Sequence, residues 1–189
     1  VGDDTGVRWR AAGAAGDRGW QSLAVDSRGN AHAIWLDHRG MAGSAAKAGE
    51  HKGEHDGVAM AQRSGLYYAS SIGGAAGERE LFKGVCYCCK TAMATAADGT
   101  LYAAWRHVFA GDFRDLGFTS SRDGGKSFSP LLRVNQDGWS INGCPDDGPA
   151  LVVDATQPTG LRGVVSNAGG AEVRGAELEA SILLTRRLR

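Results

Sequence analysis

The sequence predicts an all-β chain, a partial β-propeller of four-stranded antiparallel blades, about two and a half of them. Three observations carry this. Residues 22–35 (SLAVDSRGNAHAIW) and 92–105 (AMATAADGTLYAAW) align with Gly29 beside Gly99, and each reads as strand, glycine turn and a second strand ending in tryptophan. Residues 120–128 (SSRDGGKSF) set Ser121, Asp123, Gly125 and Phe128 in a Ser-x-Asp-x-Gly-x-x-aromatic pattern suited to a tight hairpin. Composition agrees, since 29 glycines against 4 prolines suit many short strands joined by tight turns.

The elements follow in order. Asp4, Gly6 and Trp9 repeat the Asp-x-Gly-x-x-aromatic spacing in degraded form, so residues 1–15 read as the end of a blade. A blade over 16–84 takes the first strand pair and a third strand at 66–71 (LYYASS). A second blade over 85–143 takes the second pair and a strand at 116–121 (LGFTSS) that runs into the Asp123 turn. An incomplete blade over 144–189 begins with 149–154 (PALVVD) and continues at 161–166 (LRGVVS) and 180–185 (ASILLT). The repeat of roughly 60 to 70 residues fits blades with loop insertions. A β-sandwich of similar strand content is the competing architecture.

The Ser121, Asp123, Gly125 and Phe128 pattern resembles the Asp box of sialidases and other bacterial neuraminidase repeat proteins. In that family the motif folds a hairpin on the outer rim of a propeller blade, on the face away from the active site. The resemblance implies a closed propeller of about six blades. This chain is therefore expected to be a fragment, or to be completed by further blades in cis or in trans, because an open wedge leaves unpaired strand edges. It also implies an exo-sialidase-type glycoside hydrolase or a catalytically lapsed, glycan-binding relative. The family grips the sugar carboxylate with three arginines and uses a Tyr/Glu nucleophile with an Asp acid/base. Arg39, Arg106 and Arg114 stand on loops where such a grip belongs, and a planar guanidinium suits a carboxylate. Their competing role is surface pairing with Asp37 or Asp115. The family's Arg-Ile-Pro signature is absent, neither Tyr87 nor Tyr102 can be assigned as nucleophile, and the catalytic residues stay unassigned.

Propeller topology places the second-to-third-strand loops and the interblade links on the face opposite the Asp123 turn. That face collects the unusual residues. The loop 36–65 carries Asp37, Arg39, Met41, His51, His55 and Met60; the loop 106–115 carries Arg106 and Arg114. The links carry Cys86, Cys88 and Cys89, and then Cys144, Asp146 and Asp147. Aligning Ala92 with Ala150 sets Cys86 opposite Cys144, Cys88 opposite Asp146 and Cys89 opposite Asp147. Two readings stay open. Cys86, Cys88, Cys89 and Cys144 with His51 and His55 form a soft ligand set suited to copper or zinc. Alternatively, disulfides staple adjacent links, Cys144 pairing with Cys86 or Cys88, and the module is structural. His32, alternating with apolar neighbours, reads as structural.

The 21 basic and 21 acidic residues balance, which gives no electrostatic case for a nucleic-acid partner. No apolar run approaches the ~18 residues of a membrane helix. The chain opens on Val1, as after removal of a leader, and a periplasmic or secreted location is expected.

Overall fold

The computed structural model describes residues 18–41, 57–72, 77–141 and 146–153. Among these residues the chain is all-β, with two four-stranded antiparallel sheets and one short helix. The first sheet runs β1 (Arg18–Val25), β2 (Ala31–Asp37), β3 (Gly65–Ser70) and β4 (Arg79–Lys83) in sequential order. The second repeats the meander with β5 (Thr91–Thr95), β6 (Leu101–Arg106), β7 (Leu116–Ser121) and β8 (Leu132–Arg133). The expected blade end at 1–15 and most of the incomplete blade at 144–189 lie outside the described residues. Residues 149–153 carry no strand.

The β1–β2 and β5–β6 hairpins close in the same way. Gly29 and Gly99 adopt positive φ, 82° and 84°, where a side chain would be strained. Their N–H groups reach back to the carbonyls of Asp26 and Ala96. The Asp26 carboxylate accepts from the backbone of Arg28 and Asn30, and that of Asp98 from Thr100. The two sheets meet through their first strands. Thr91 Oγ1 donates to Trp20 O, Met93 N to Ser22 Oγ and Thr95 Oγ1 to Val25 O. This side-by-side join of first strands is the arrangement of neighbouring propeller blades.

The core fills the wedge between the sheets. Ile34, Leu36, Leu66, Tyr68, Val85, Met93, Leu101, Ala103 and Trp105 form one buried cluster, onto which Phe128 and Leu131 pack. Each large aliphatic member contributes roughly 1.5–3 kcal/mol by leaving water. His32 is fully buried, with Nδ1 2.8 Å from the Tyr68 hydroxyl and Nε2 3.3 Å from Asp26.

The 120–128 hairpin lies across the join. Ser121 Oγ donates to Asp123 Oδ1 at 2.8 Å and accepts from Gly125 N at 2.9 Å, and Asp123 accepts from Ser127 N. Phe128 sits edge-on to Tyr68 of β3, 4.9 Å between centroids, so the turn packs on the neighbouring sheet.

The long 38–64 connection holds structure that its polar composition conceals: a 3-10 turn at Arg39–Met41 and helix α1 at Gly57–Gln62. The helix ends where Arg63 N and Ser64 Oγ both reach the Met60 carbonyl. Antiparallel alternation puts this connection, the 107–115 loop, the 84–90 link and the segment after β8 at one end of the sheets, opposite the Asp123 turn.

Candidate functional site

These four connections are tied to one another by backbone hydrogen bonds. Gly84 N donates to Ser64 O, Cys86 N to Arg106 O, and Val108 N to Gly84 O. Lys90 N donates to Asp147 O at 2.8 Å, and Arg114 N to Trp139 O at 2.7 Å. A Cβ on Gly148 would meet the Lys90 carbonyl oxygen at 2.4 Å, so glycine there lets the last segment lie close against the 84–90 link.

The cysteines sit on a β-turn. Cys89 N donates to Cys86 O at 3.1 Å, and the turn brings the side chains of its first and fourth residues together. Cys86 Sγ and Cys89 Sγ are 2.9 Å apart, and Cys88 Sγ is 4.0 Å from Cys86 Sγ. All three sulfurs lie within 4.8 Å of one another and are buried. Cys88 is disulfide-bonded, whereas Cys86 and Cys89 are free thiols. Although three sulfurs have the spacing of a ligand group, Cys86 and Cys89 alone supply thiols. Around them lies an apolar shell of Ala61, Val108 and Tyr87.

Two buried arginines complete the site. Arg114 Nη1 is 3.3 Å from Cys86 Sγ, while its Nη2 is 3.5 Å from Asp112. Its Nε and Nη2 have no hydrogen-bond partner. Arg106 Nε donates to Asp147 Oδ1 at 2.8 Å, its Nη1 donates to the Arg114 carbonyl, and its guanidinium lies 4.7 Å from the centre of the Trp139 ring. The same Asp147 oxygen is 3.9 Å from Cys89 Sγ, and Asp147 Oδ2 is buried without a hydrogen-bond partner. The repeat alignment sets Cys89 and Asp147 opposite each other, and they are neighbours here.

The surroundings split the two thiols electrostatically. The hydrogen bond from Cys89, aided by the Arg114 charge, outweighs burial and brings the Cys86 thiol down to about 7. The Cys89 thiol is pushed up, first by its hydrogen bond to Cys86 and then by burial.

The remaining predicted site residues are distributed as follows. Arg39 is held in the first sheet by Asp37 at 2.6 Å and Glu78 at 2.9 Å, with its guanidinium 4.1 Å from the Tyr67 ring centre. Burial alone would raise the Asp37 carboxyl, but hydrogen bonds from Arg39 and Trp35 hold it well below the usual carboxylate range. Asp115 pairs with Arg133 rather than with Arg114. The structure thus joins Arg106 and Arg114, and gives Arg39 partners of its own. Cys144, His51 and His55 lie outside the described residues. The sequence reading missed the Arg114–Cys86 and Arg106–Trp139 contacts. No sequence pattern signalled them: the loop 107–115 continues the β6–β7 hairpin through the Phe109–Phe113 bridge and is tied to the neighbouring links by the Val85–His107 and Phe113–Ser140 bridges, pairings that the repeat does not encode.

No protein-family model and no curated protein matches the chain. Among solved structures, a Hadza microbial sialidase, Hz136, is similar over 60% of this chain and 24% of its own length, with 15% identity and a TM-score of 0.39. A protein of unknown function from Dyadobacter fermentans DSM 18053 is similar over 75% of this chain and 44% of its own, with 14% identity and a TM-score of 0.47. The chain spans less than half the length of either. The likeness to sialidases is weak and is one of fold.

Proposed function

We propose that this chain is a sector of a sialidase-like propeller that holds a soft metal ion, copper(I), on Cys86 and Cys89 at the channel mouth. The observation that supports it is the buried pair of free thiols with the Arg114 guanidinium 3.3 Å from one of them. Thiolates favour copper(I) and zinc. Zinc takes four ligands in a structural site, whereas a pair of soft thiolates by itself suits copper(I). Copper(I) on two thiolates carries a net charge of −1, which Arg114 offsets. To clasp an ion between two sulfurs in near-linear fashion, with metal–sulfur bonds near 2.3 Å, the pair must part by about 1.7 Å from its present 2.9 Å. The test is a titration of the reduced chain with copper(I) against a competing chelator. One copper per chain, lost in Cys86→Ser and Cys89→Ser, supports the site; failure to compete refutes it.

A glycan-binding or exo-sialidase-type reading is favoured by a separate observation, the adjacent Arg106 and Arg114 with two Arg114 N–H groups lacking hydrogen bonds. Arg106 and Arg114 would then share one carboxylate, and Arg39, held by Asp37 and Glu78, would join them only by leaving those partners. Release of sialic acid from a sialoside, or binding of a sialoside abolished by Arg114→Ala, tests it. The disulfide at Cys88 favours a third role, a stapled structural module working outside the cytoplasm, with Cys144 as its expected partner. A disulfide persists in such an oxidising compartment. Peptide mapping of the oxidised chain tests that pairing.

A further inference from the structure

We propose that Cys86 and Cys89 form a reversible two-electron dithiol/disulfide couple. The two residues are the first and fourth positions of one β-turn, and their sulfurs, 2.9 Å apart, need to approach by only about 0.9 Å to reach a disulfide bond length. The chemistry is asymmetric. Cys86 faces the Arg114 guanidinium, which stabilises a thiolate, whereas Cys89 faces the Asp147 carboxylate, whose Oδ2 is buried and has no hydrogen-bond partner. Cys86 is therefore the attacking sulfur and Cys89 the resolving one.

The oxidant is a low-molecular-weight disulfide. The Cys86 thiolate attacks one of its sulfurs, a mixed disulfide forms, and the first external thiolate leaves. Cys89 passes its proton to Asp147, and its thiolate attacks Cys86 Sγ. The Cys86–Cys89 bond forms as the second external thiolate departs and takes the proton from Asp147, while the first external thiolate takes the proton that Cys86 gave up on ionising. The pair loses two electrons and two protons, and the external disulfide becomes two thiols. Cys86 is fully buried and Cys89 is 1% exposed, so exchange requires the surrounding connections to open and is slow. The couple is therefore read at equilibrium. It does not rest on copper binding, although oxidation would remove both copper ligands.

The chain is equilibrated with chelator present in buffers ranging from glutathione to glutathione disulfide, quenched in acid, alkylated after unfolding and mapped by mass spectrometry. Cys86 and Cys89 are expected to lose their alkylation sites together in one transition, with a Cys86–Cys89 crosslink recovered and reversed by dithiothreitol. Cys89→Ala is expected to leave a glutathione adduct on Cys86 in place of the crosslink. Two alkylated thiols at the most oxidising ratio, or a crosslink from Cys86 to a different cysteine, overturns the proposal. Because metal is excluded throughout, a failure here is separate from a failure to bind copper.

Discussion

Arg114 Nη1 lies 3.3 Å from Cys86 Sγ, a buried guanidinium set against a buried thiol. Burial alone holds a thiol protonated, and here the hydrogen bond from Cys89 together with this cation reverses that tendency. The contact favours the thiolate form of Cys86.

Arg114→Gln is expected to raise the Cys86 titration by about 1 pH unit or more, the usual effect of losing an opposite charge at this range. Thiolate absorbance against pH in the reduced, metal-free chain checks this. An unchanged midpoint would show that Arg114 does not stabilise the thiolate.

His107 is buried beside Trp105, whose Nε1 donates to His107 Nδ1 at 3.3 Å, and burial brings its imidazole down to about 4. The folded state therefore prefers the neutral ring. Its contribution is fully present above the ordinary value of 6.5, declines as pH falls towards 4, and is gone below. The loss amounts to about 3 kcal/mol. In urea unfolding at pH 7.5 and at about pH 4, the difference between the chain and His107→Gln is expected to shrink by that order. A constant difference would contradict it.

Gly124 and Gly125 both have positive φ, yet they differ in surroundings. A Cβ on Gly125 would fall 1.7 Å from the Tyr68 hydroxyl oxygen, whereas one on Gly124 meets only Ile72 at 3.6 Å. Gly124→Ala is expected to cost about 1–2 kcal/mol from backbone strain. Gly125→Ala should cost more than about 3 kcal/mol, because Tyr68, fixed by His32 and Phe128, must also move. Denaturant midpoints for the two variants decide this, and equal losses would show that the hairpin does not bear on Tyr68.

Much of this was legible in the sequence. The strand pairs around Gly29 and Gly99 stand out because apolar alternation, a glycine turn and a terminal tryptophan repeat in register. β4 did not, because RELFK is charged and weakly patterned, and β8 is two residues long, defined by pairing with β7. The stretch 149–153 reads as β-forming but carries no strand, and its expected partner at 161–166 lies outside the described residues. At the site, the repeat carried Cys89 to Asp147 because equivalent blade positions are neighbours. It could not carry Arg114 to Cys86, a contact across 28 residues that depends on how the β6–β7 hairpin folds beyond its last paired residues.

X-ray absorption at the copper edge, on the reduced chain loaded with one equivalent of copper(I), tests the metal site most directly. Cys86 and Cys89 predict copper(I) with a shell of two sulfurs, lost in the double serine variant. Copper bound through nitrogen and oxygen alone, or none retained after desalting, would contradict it.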